Sequence, residues 1–380
     1  MTSTGNGECL VRERCFPLDY VHSVPLRRFF DLERDNYILI TKQRSLGDLA
    51  PHCIGFLDTE TTGLAGGTGT YVFLIGLGYF SNNSFHIKQY FMRDYPDEQA
   101  MLNLFEKDIQ PFSAIVSYNG KSYDIPALRT RYVLNRMNTF LEQVQQIDLL
   151  HSTRRLWKKE LGSCDLASVE AGILGFRRES DIPGAEIPNA YFDFLRTRDI
   201  RQIKPIFQHN AMDIVTLVAL LIRTAEVFAG RSETAVDVVN LVRTFDQMGQ
   251  HDLAAAAGAR YFESMNPQEV LRLLAHQAQV HKRAGQWGRA ETVWHQWINL
   301  SHTFDPVPYI ELAKLYEHRT RDLEQALKIV QRAEKQYEML SQLDRIDMPQ
   351  TALRELQHRK RRILNKISRI TSSNNLNGKA

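Results

Sequence analysis

A short apolar run, Cys53 to Leu57, leads directly into two acidic residues, Asp58 and Glu60. The run predicts a buried strand, and side chains two residues apart in a strand point to the same side. Asp58 and Glu60 therefore face one space, where their like charges raise each other's pKa unless a cation lies between them. Carboxylate oxygens favour Mg²⁺ or Mn²⁺. The alternative is a strand that simply ends in solvated acids.

The size and composition of the chain narrow the class of protein. Its 380 residues exceed one ordinary hydrophobic core and predict two domains. A hydrophobic content of 43% and a charged content of 24% are typical of a soluble globular protein. The longest apolar run, Tyr71 to Phe80, is too short to span a membrane, so we expect a cytoplasmic protein with no membrane partner. The net charge of +3 permits a nucleic-acid partner without indicating one.

Strand and helix patterns alternate after the acidic strand. Residues 71–80 and 85–91 predict strands, 97–112 a helix, 115–118 a strand and 125–136 a helix. This order predicts an α/β domain over residues 1–230, with a mixed sheet flanked by helices. Residues 1–50 hold no long periodic segment and predict an N-terminal arm, with a short helix, packed on that domain.

Strand patterns disappear beyond about residue 233, and a helical repeat replaces them. The residues of one copy, Ala278, His281, Ala290, Trp294 and Trp297, recur about 35 positions later as Ala313, Tyr316, Ala326, Val330 and Ala333. A period near 34 residues with small residues at helix contacts predicts an all-α, tetratricopeptide-like repeat domain over residues 231–340. The alternative is a plain helical bundle. Residues 341–380 predict a basic helix, 353–370, and a disordered tail.

Three separated motifs supply one kind of chemistry. The first is the strand end, Asp58 and Glu60; the second is Asp124, where a strand joins a helix; the third is His209 with Asp213, one helical turn apart. Four carboxylates can hold two divalent cations that clamp a phosphodiester for attack by water. A neutral imidazole nearby can take the proton of that water.

Quoted in order, the motifs Asp-x-Glu-Thr-Thr-Gly, Tyr-Asn-Gly-Lys-x-Tyr-Asp and His-Asn-x-x-Asp show a family likeness. The chain resembles the DEDD superfamily of 3′–5′ exonucleases, which have an RNase H-like fold, and within it the YprB-type branch that adds tetratricopeptide repeats. The resemblance implies that Asp58, Glu60, Asp124 and Asp213 are the metal ligands of two Mg²⁺ or Mn²⁺ ions. It implies His209 as the general base. The spacing of His209 and Asp213, four positions, is that of the family's tyrosine form rather than its histidine form.

Contacts with the substrate are predicted from position. Thr61 follows the acidic pair; Asn119, Lys121 and Tyr123 belong to the second motif; and Arg155 lies in a basic segment after Asp148. Lysine and arginine can contact phosphates and tyrosine can stack on a base, although charged helix faces are commonly just solvated. Asp148, at a strand end, fits either a role beside the metal site or a helix cap.

The sequence thus predicts a metal-dependent 3′–5′ exonuclease that hydrolyses single-stranded nucleic acid, joined to repeats that could bind a protein partner. One alternative is a structure-selective endonuclease on the same fold. Another is a scaffold that binds nucleic acid or protein through an inactive nuclease centre. The complete set of four acids favours activity over the scaffold.

Overall fold

The computed structural model describes residues 2–4, 7–63, 67–232, 234–342 and 350–377. The chain divides into two compact units, Met1–Met248 and Gly249–Ala380. The division falls after Met248, whereas the change in sequence texture suggests a boundary near residue 230. The difference arises because residues 238–247 form a helix whose Phe245 packs edge-on against Phe228, inside the first unit.

The strands of the first unit are β1 Thr2–Thr4, β2 Gly7–Pro17, β3 Val21–His22, β4 Val24–Pro25, β5 Ile54–Thr61, β6 Val72–Ser81, β7 Ser84–Phe91, β8 Ala114–Ser117 and β9 Gln145–Asp148. Its helices are α1 Arg34–Thr41, α2 Glu98–Ile109, α3 Asp124–Leu134, α4 Leu149–Leu161, α5 Leu166–Val169, α6 Ile187–Thr197, α7 Lys204–Phe228 and α8 Val238–Gln247. Apart from the short β3–β4 pair, these strands form a single sheet in the order β1-β2-β7-β6-β5-β8-β9.

The sheet is mixed. Strands β2, β7, β6 and β5 pair antiparallel, while β8 lies parallel to β5 and β9 parallel to β8. Parallel pairing needs a crossover, which α2 supplies before β8 and α3 before β9. The mixed sheet with flanking helices confirms the predicted RNase H-like fold class.

Helix α7 is buried along most of its 25 residues, so it is a core helix rather than an amphipathic surface one. It lies directly on β6 because two glycines leave room for it. A Cβ atom on Gly76 would lie 2.3 Å from Asn210 Oδ1 and 2.5 Å from Ile214 Cδ1. A Cβ atom on Gly78 would lie 2.5 Å from Ile214 Cγ2. Any larger residue at Gly76 would push the helix away from the strand that neighbours β5.

The N-terminal segment packs on the domain as a strand of the sheet. Residues 7–17 form β2, which pairs with β7 from Leu10–Phe91 to Pro17–Ser84. Few side chains of β2 are buried, and the apolar alternation in its sequence is too weak to predict a strand. The predicted short helix is present as a 3₁₀ helix, Leu26–Asp31, with Phe29 buried in the core.

The helices of the second unit are α9 His251–Tyr261, α10 Pro267–Arg283, α11 Trp287–Leu300, α12 Pro306–Leu315, α13 Leu323–Ser341 and α14 Gln350–Asn377. From α10 to α14 each helix packs on the next one along the chain. Helix α14 continues to Asn377, past the point near residue 370 where a disordered tail was predicted. Residues 343–349 and 378–380 of the predicted basic segment lie outside the described residues.

In the part of the chain that the structure describes, none of the helices combines the length and apolar character needed to cross a membrane.

Candidate active site

Strand β5 carries Asp58 and Glu60 to the edge of the core. Its first four residues are buried and its last four, from Asp58 onward, are partly exposed. Asp58 pairs with Gly76 of β6, and the register shifts between Glu60 and Thr61, where the strand ends. Because they are two residues apart, the two carboxylates lie on one side of the strand, as the sequence predicts.

Asp124 is the first residue of α3, where the positive end of the helix dipole favours a carboxylate. Its Oδ1 accepts hydrogen bonds from the backbone N–H of Thr59, at 3.1 Å, and from Thr59 Oγ1, at 2.5 Å. The residue between the two acids of β5 thus fixes a third carboxylate beside them.

Helix α7 contributes Asn210 as well as His209 and Asp213. Asn210 is fully buried, and its Nδ2 donates to Asp58 Oδ2 at 2.8 Å. Gln89 of β7, also fully buried, donates to Asn210 Oδ1 at 2.8 Å and so fixes which way the amide points. This relay orients the Asp58 carboxylate from the protein interior.

A single arginine, Arg178, lies among the remaining acids. Its guanidinium pairs with Glu170 at 2.6 Å, with Asp181 at 2.7 Å and with Asp213 through a short contact. His209 Nδ1 lies 2.8 Å from Asp181 Oδ2, and its Nε2 lies 3.6 Å from Asp213 Oδ2. Burial opposes the charge on Arg178, but Asp213 and Glu170 outweigh it and raise the pKa of the guanidinium.

Glu170 holds Arg178 from the interior side. Its side chain is only 3% exposed. Besides Arg178, it accepts a hydrogen bond from Thr216 Oγ1 at 2.5 Å. His22 Nε2 lies 2.9 Å from the same hydroxyl, and burial lowers the pKa of this histidine to about 4. A buried network therefore runs from His22 to the arginine that contacts Asp213.

The carboxylates repel one another. Burial, followed by the charges of Asp213, Glu60 and Asp124, raises the pKa of Asp58 well above its usual value. Burial and the charges of Asp213 and Asp124 do the same for Glu60. Burial raises the pKa of Asp124 to about 6, against the hydrogen bonds from Thr59. The site holds more negative charge than its own cations balance.

A cleft of about 640 Å³ opens beside these acids. Five of the residues singled out in the sequence line it: Asp58, Glu60, Thr61, Tyr123 and Asp124. The Tyr123 side chain is exposed at the cleft, and Pro126, Ala127 and Pro188 add apolar wall. Asp213 and His209 do not line this cleft, although Asp213 is close enough to raise the pKa of both Asp58 and Glu60.

The other predicted substrate contacts have different surroundings. The backbone N–H groups of Asn119 and Lys121 donate to Asp148, at 2.8 and 3.2 Å. Asp148 also caps α4 through the N–H of Leu150 and is almost fully buried, so its observed role is structural. Arg155 lies outside the cleft, where its Nη2 donates to the carbonyls of Leu39 and Ile40 at the end of α1. The Arg155 guanidinium therefore binds the end of a helix. Its position in a basic run of the sequence does not indicate this contact.

The donor set fits a hard divalent cation in its chemistry. Asp58, Glu60, Asp124 and Asp213 offer carboxylate oxygens only, and the raised pKa values of the first three show charge that a cation would relieve. Among the described residues, however, no group of three or more histidine, cysteine, aspartate or glutamate side chains is already placed to hold a metal ion. Asp58, Asp124 and Asp213 are instead each held by a different partner.

Four further residues of the site were not singled out in the sequence. Asn210 lies inside the third motif, and its spacing of three from Asp213 puts both on one helix face, a signal that was available. Thr59 stands between the two acids. Arg178 and Asp181 lie in the segment before α6, far along the chain from the motifs, and only the tertiary structure reveals their position.

Comparison with known proteins agrees with this fold. A family model named RNase_H_2, of the RNase_H superfamily, matches residues 55–225. The first unit therefore contains an RNase H-like superfamily domain.

Over 340 residues the chain is 29% identical to "Uncharacterized protein YprB" of Bacillus subtilis (strain 168), covering 86% of this chain and 80% of that protein. Among solved structures, the family B DNA polymerase of the archaeon Pyrobaculum calidifontis aligns with a TM-score of 0.37 and 15% identity. That alignment covers 60% of this chain and 29% of the polymerase.

Proposed function

We propose that the protein is a metal-dependent 3′–5′ exonuclease of the DEDD type, acting on single-stranded nucleic acid. The observation that carries the proposal is the convergence of four carboxylates from three separate segments of an RNase H-like domain. A site that only needed stability would not bury like charges together, because each raises the pKa of the others. The cleft beside the acids gives a strand access to them.

Asp58, Glu60, Asp124 and Asp213 are the proposed ligands of two Mg²⁺ or Mn²⁺ ions. When bound, the ions supply activation of a water molecule and stabilisation of the leaving oxygen in phosphodiester hydrolysis. Asn210 orients Asp58, and Thr59 orients Asp124, so neither carboxylate has to be ordered when the substrate binds.

His209 is the proposed general base. In the tautomer that carries the proton on Nδ1, Asp181 accepts it at 2.8 Å, which fixes the ring and leaves Nε2 able to take the proton of the attacking water. This arrangement supports the role of His209 even though the spacing to Asp213 is that of the tyrosine form. The imidazole and Arg178 share Asp181, so both depend on the placement of the same loop.

The cleft walls support the choice of a single strand as substrate. Tyr123 offers an exposed ring on which a base can stack, and Thr61 offers a hydroxyl beside the acids. Asn119 and Lys121 remain candidate contacts, on a loop that Asp148 holds next to the start of α3. We do not assign Arg155 to the substrate, because its guanidinium donates hydrogen bonds to the carbonyl groups of Leu39 and Ile40 in helix α1.

The test uses 5′-labelled single strands of DNA and RNA, incubated with the full chain and Mn²⁺, Mg²⁺ or EDTA. We expect a metal-dependent ladder that shortens from the 3′ end and is absent for Asp58→Ala. An exposed acid outside the site, Glu160, provides the matched control, and Glu160→Ala should cleave like the wild type. Discrete internal cuts would favour the endonuclease. Binding without cleavage under every condition would favour the scaffold and overturn the proposal.

For the second unit we propose a tetratricopeptide-like array. The residues that recur in the sequence occupy equivalent places in two successive helix pairs: Ala278 and Ala290 are buried in α10 and α11, and Ala313 and Ala326 are buried in α12 and α13. Small residues at these places let the paired helices approach closely. Such an array is consistent with a binding surface for a protein or nucleic-acid partner.

A further inference from the structure

The second unit contains a strongly basic cleft of about 370 Å³, a volume within the range typical of ligand sites. Helices α10, α11, α12 and α14, with the π-helical turn Tyr316–Thr320, all contribute to it. The residues that line it are Lys282, Trp287, Glu311, Lys314, Leu315, His318, Arg319, Arg359 and Arg362. We call this cavity the basic cleft.

Two carboxylates hold the cations of the basic cleft in place. Glu317 is fully buried beneath it and pairs with Arg359 at 3.2 Å, with Lys366 at 2.7 Å and with Arg362 through a short contact. Burial opposes the charge on Glu317, but the hydrogen bonds from Arg362 and Lys366 outweigh it and lower the pKa of Glu317 to about 2. Glu311, which lines the cleft, pairs with Lys314 at 3.0 Å and with Lys282.

The cations outnumber the acids around the basic cleft. Six positive side chains, the five lining lysines and arginines together with Lys366, face three carboxylates, since Glu355 also reaches Arg359 at 3.7 Å. An excess of three positive charges remains. In addition, Arg359 is buried, and its Nε–H finds no acceptor among the described residues. Within the described part of the chain, acceptors are therefore too few for the donors collected there.

Arg319 and Trp287 give the basic cleft an aromatic side. The Arg319 guanidinium lies 4.6 Å from the centre of the Trp287 ring. In the described part of the chain, Arg319 makes no ion pair, and its side chain is exposed. A flat guanidinium stacked on an indole is a surface on which a nucleic-acid base can lie.

We propose that the basic cleft binds the backbone of a single-stranded nucleic acid, with phosphates at the lysines and arginines and a base beside Arg319 and Trp287. An excess of positive charge would also attract an acidic peptide. The Arg319–Trp287 stack favours the nucleic acid, because a base can lie on it, whereas the carboxylates of an acidic peptide offer no ring to stack. The inference concerns binding alone and stands whether or not the first unit hydrolyses its substrate.

The experiment measures binding of a fluorescein-labelled oligo(dT) 12-mer to the full chain in EDTA, over a series of salt concentrations. The test variant is Arg319→Gln with Lys314→Gln. This change leaves Glu317 and its buried partners intact and leaves Glu311 paired with Lys282. The control is Arg289→Gln with Lys328→Gln, which removes the same charge from exposed positions outside the basic cleft.

Each phosphate contact on a single strand contributes roughly 0.7 to the slope of log affinity against log salt concentration. We expect the test variant to lose about 1.4 from that slope and to bind about tenfold more weakly at low salt. The control should keep most of the slope and most of the affinity of the wild type. Melting followed by circular dichroism checks that the two variants are equally folded.

Tryptophan fluorescence reports the location independently. Three of the four tryptophans, Trp157, Trp294 and Trp297, are buried, and Trp287 is only partly so. The oligonucleotide should therefore quench Trp287, and Trp287→Phe should abolish the quenching while the 12-mer still binds.

Equal slopes and equal affinities for the test variant, the control and the wild type would overturn the proposal. So would binding of a glutamate 12-mer that depends on Arg319 when oligo(dT) shows no such dependence, because the basic cleft would then serve an acidic peptide. Loss of hydrolysis in the first unit would affect neither measurement.

Discussion

Replacing Arg178 with methionine tests the electrostatic account of the site most directly. Methionine keeps an unbranched apolar stem but removes the cation that contacts Glu170, Asp181 and Asp213. The three acids are then left without the guanidinium that separates them. Glu170 is affected most, because it is almost fully buried and, among the described residues, keeps only the hydrogen bond from Thr216.

The size of the effect follows from these surroundings. Removing one partner of a buried ion pair costs about 3–5 kcal/mol, since the remaining charge is left without compensation. Asp181 and Asp213 keep 22% and 14% of their side chains exposed, so water can reach them and the loss should lie near the lower end. We therefore expect the free energy of unfolding to fall by about 3 kcal/mol at neutral pH in EDTA.

The assay is urea unfolding of the wild type, Arg178→Met, Glu170→Gln and the double variant. Neutralising Glu170 in the methionine background should recover part of the loss, which gives a coupling energy of at least about 1.5 kcal/mol in the double-mutant cycle. Arg177, exposed and adjacent, is the matched control, and Arg177→Met should change stability by less than about 0.5 kcal/mol.

Manganese gives a second measure of the same change. Asp213 loses the guanidinium of Arg178 in this variant, so we expect Mn²⁺ to stabilise Arg178→Met against urea more than it stabilises the wild type. The reasoning is refuted if Arg178→Met costs less than about 1 kcal/mol, or if its coupling to Glu170 is close to zero.

Three further predictions concern the neighbouring groups. Asn210→Leu should lower the hydrolysis rate about 10–100-fold, because Asp58 loses the amide that orients it; single-turnover kinetics measures this, and a rate within twofold of the wild type would contradict it. Gly76→Ala should cost about 1–3 kcal/mol in urea unfolding, because its Cβ would lie within van der Waals distance of Asn210, whereas Gly288→Ala, where the Cβ meets nothing within 4 Å, should not destabilise. The third prediction concerns pH. Burial raises the pKa of Asp124 from 3.8 to about 6 in the folded protein, so between these pH values the folded state holds a proton that the unfolded chain has released. The stability that this group contributes is therefore present below about pH 4 and is lost as the pH rises through 6. The metal-free protein should thus lose about 1–3 kcal/mol between pH 4 and pH 7 from this residue, and the loss should be smaller in Asp124→Asn when both are unfolded with urea at each pH.

Much of the first unit could be predicted from the sequence, because its strands are apolar and the apolar residues of its helices recur at helical spacing. The acidic strand, both strands of the following hairpin and the helices on either side of β8 all lie where the sequence predicts them. Asp58, Glu60 and Asp124 could be placed together for the same reason, since strand ends and helix starts at one edge of a sheet must meet. Strand alternation alone predicts that the side chains of Asp58 and Glu60 point to the same side of β5.

The remainder depends on contacts between residues far apart in the chain. Nothing in the sequence near Arg178 indicates that it contacts Asp213, which lies 35 residues later. Arg155 shows the opposite error: it belongs to a basic run, yet its guanidinium binds the carbonyl groups of a helix more than 100 residues earlier. The sequence gives the number of positively charged side chains, and only the packing of the chain decides which of them face the cleft.

The pairing of β2 with β7 has a practical consequence for anyone who expresses the RNase H-like domain alone. A fragment that began near residue 55, where the family match starts, would lack β2 and would expose the backbone N–H and C=O groups along one side of β7. An eight-residue strand edge left unpaired in this way is a template for adding strands from other molecules. Such a fragment should form oligomers or aggregate, whereas one that starts before residue 7 should remain dispersed.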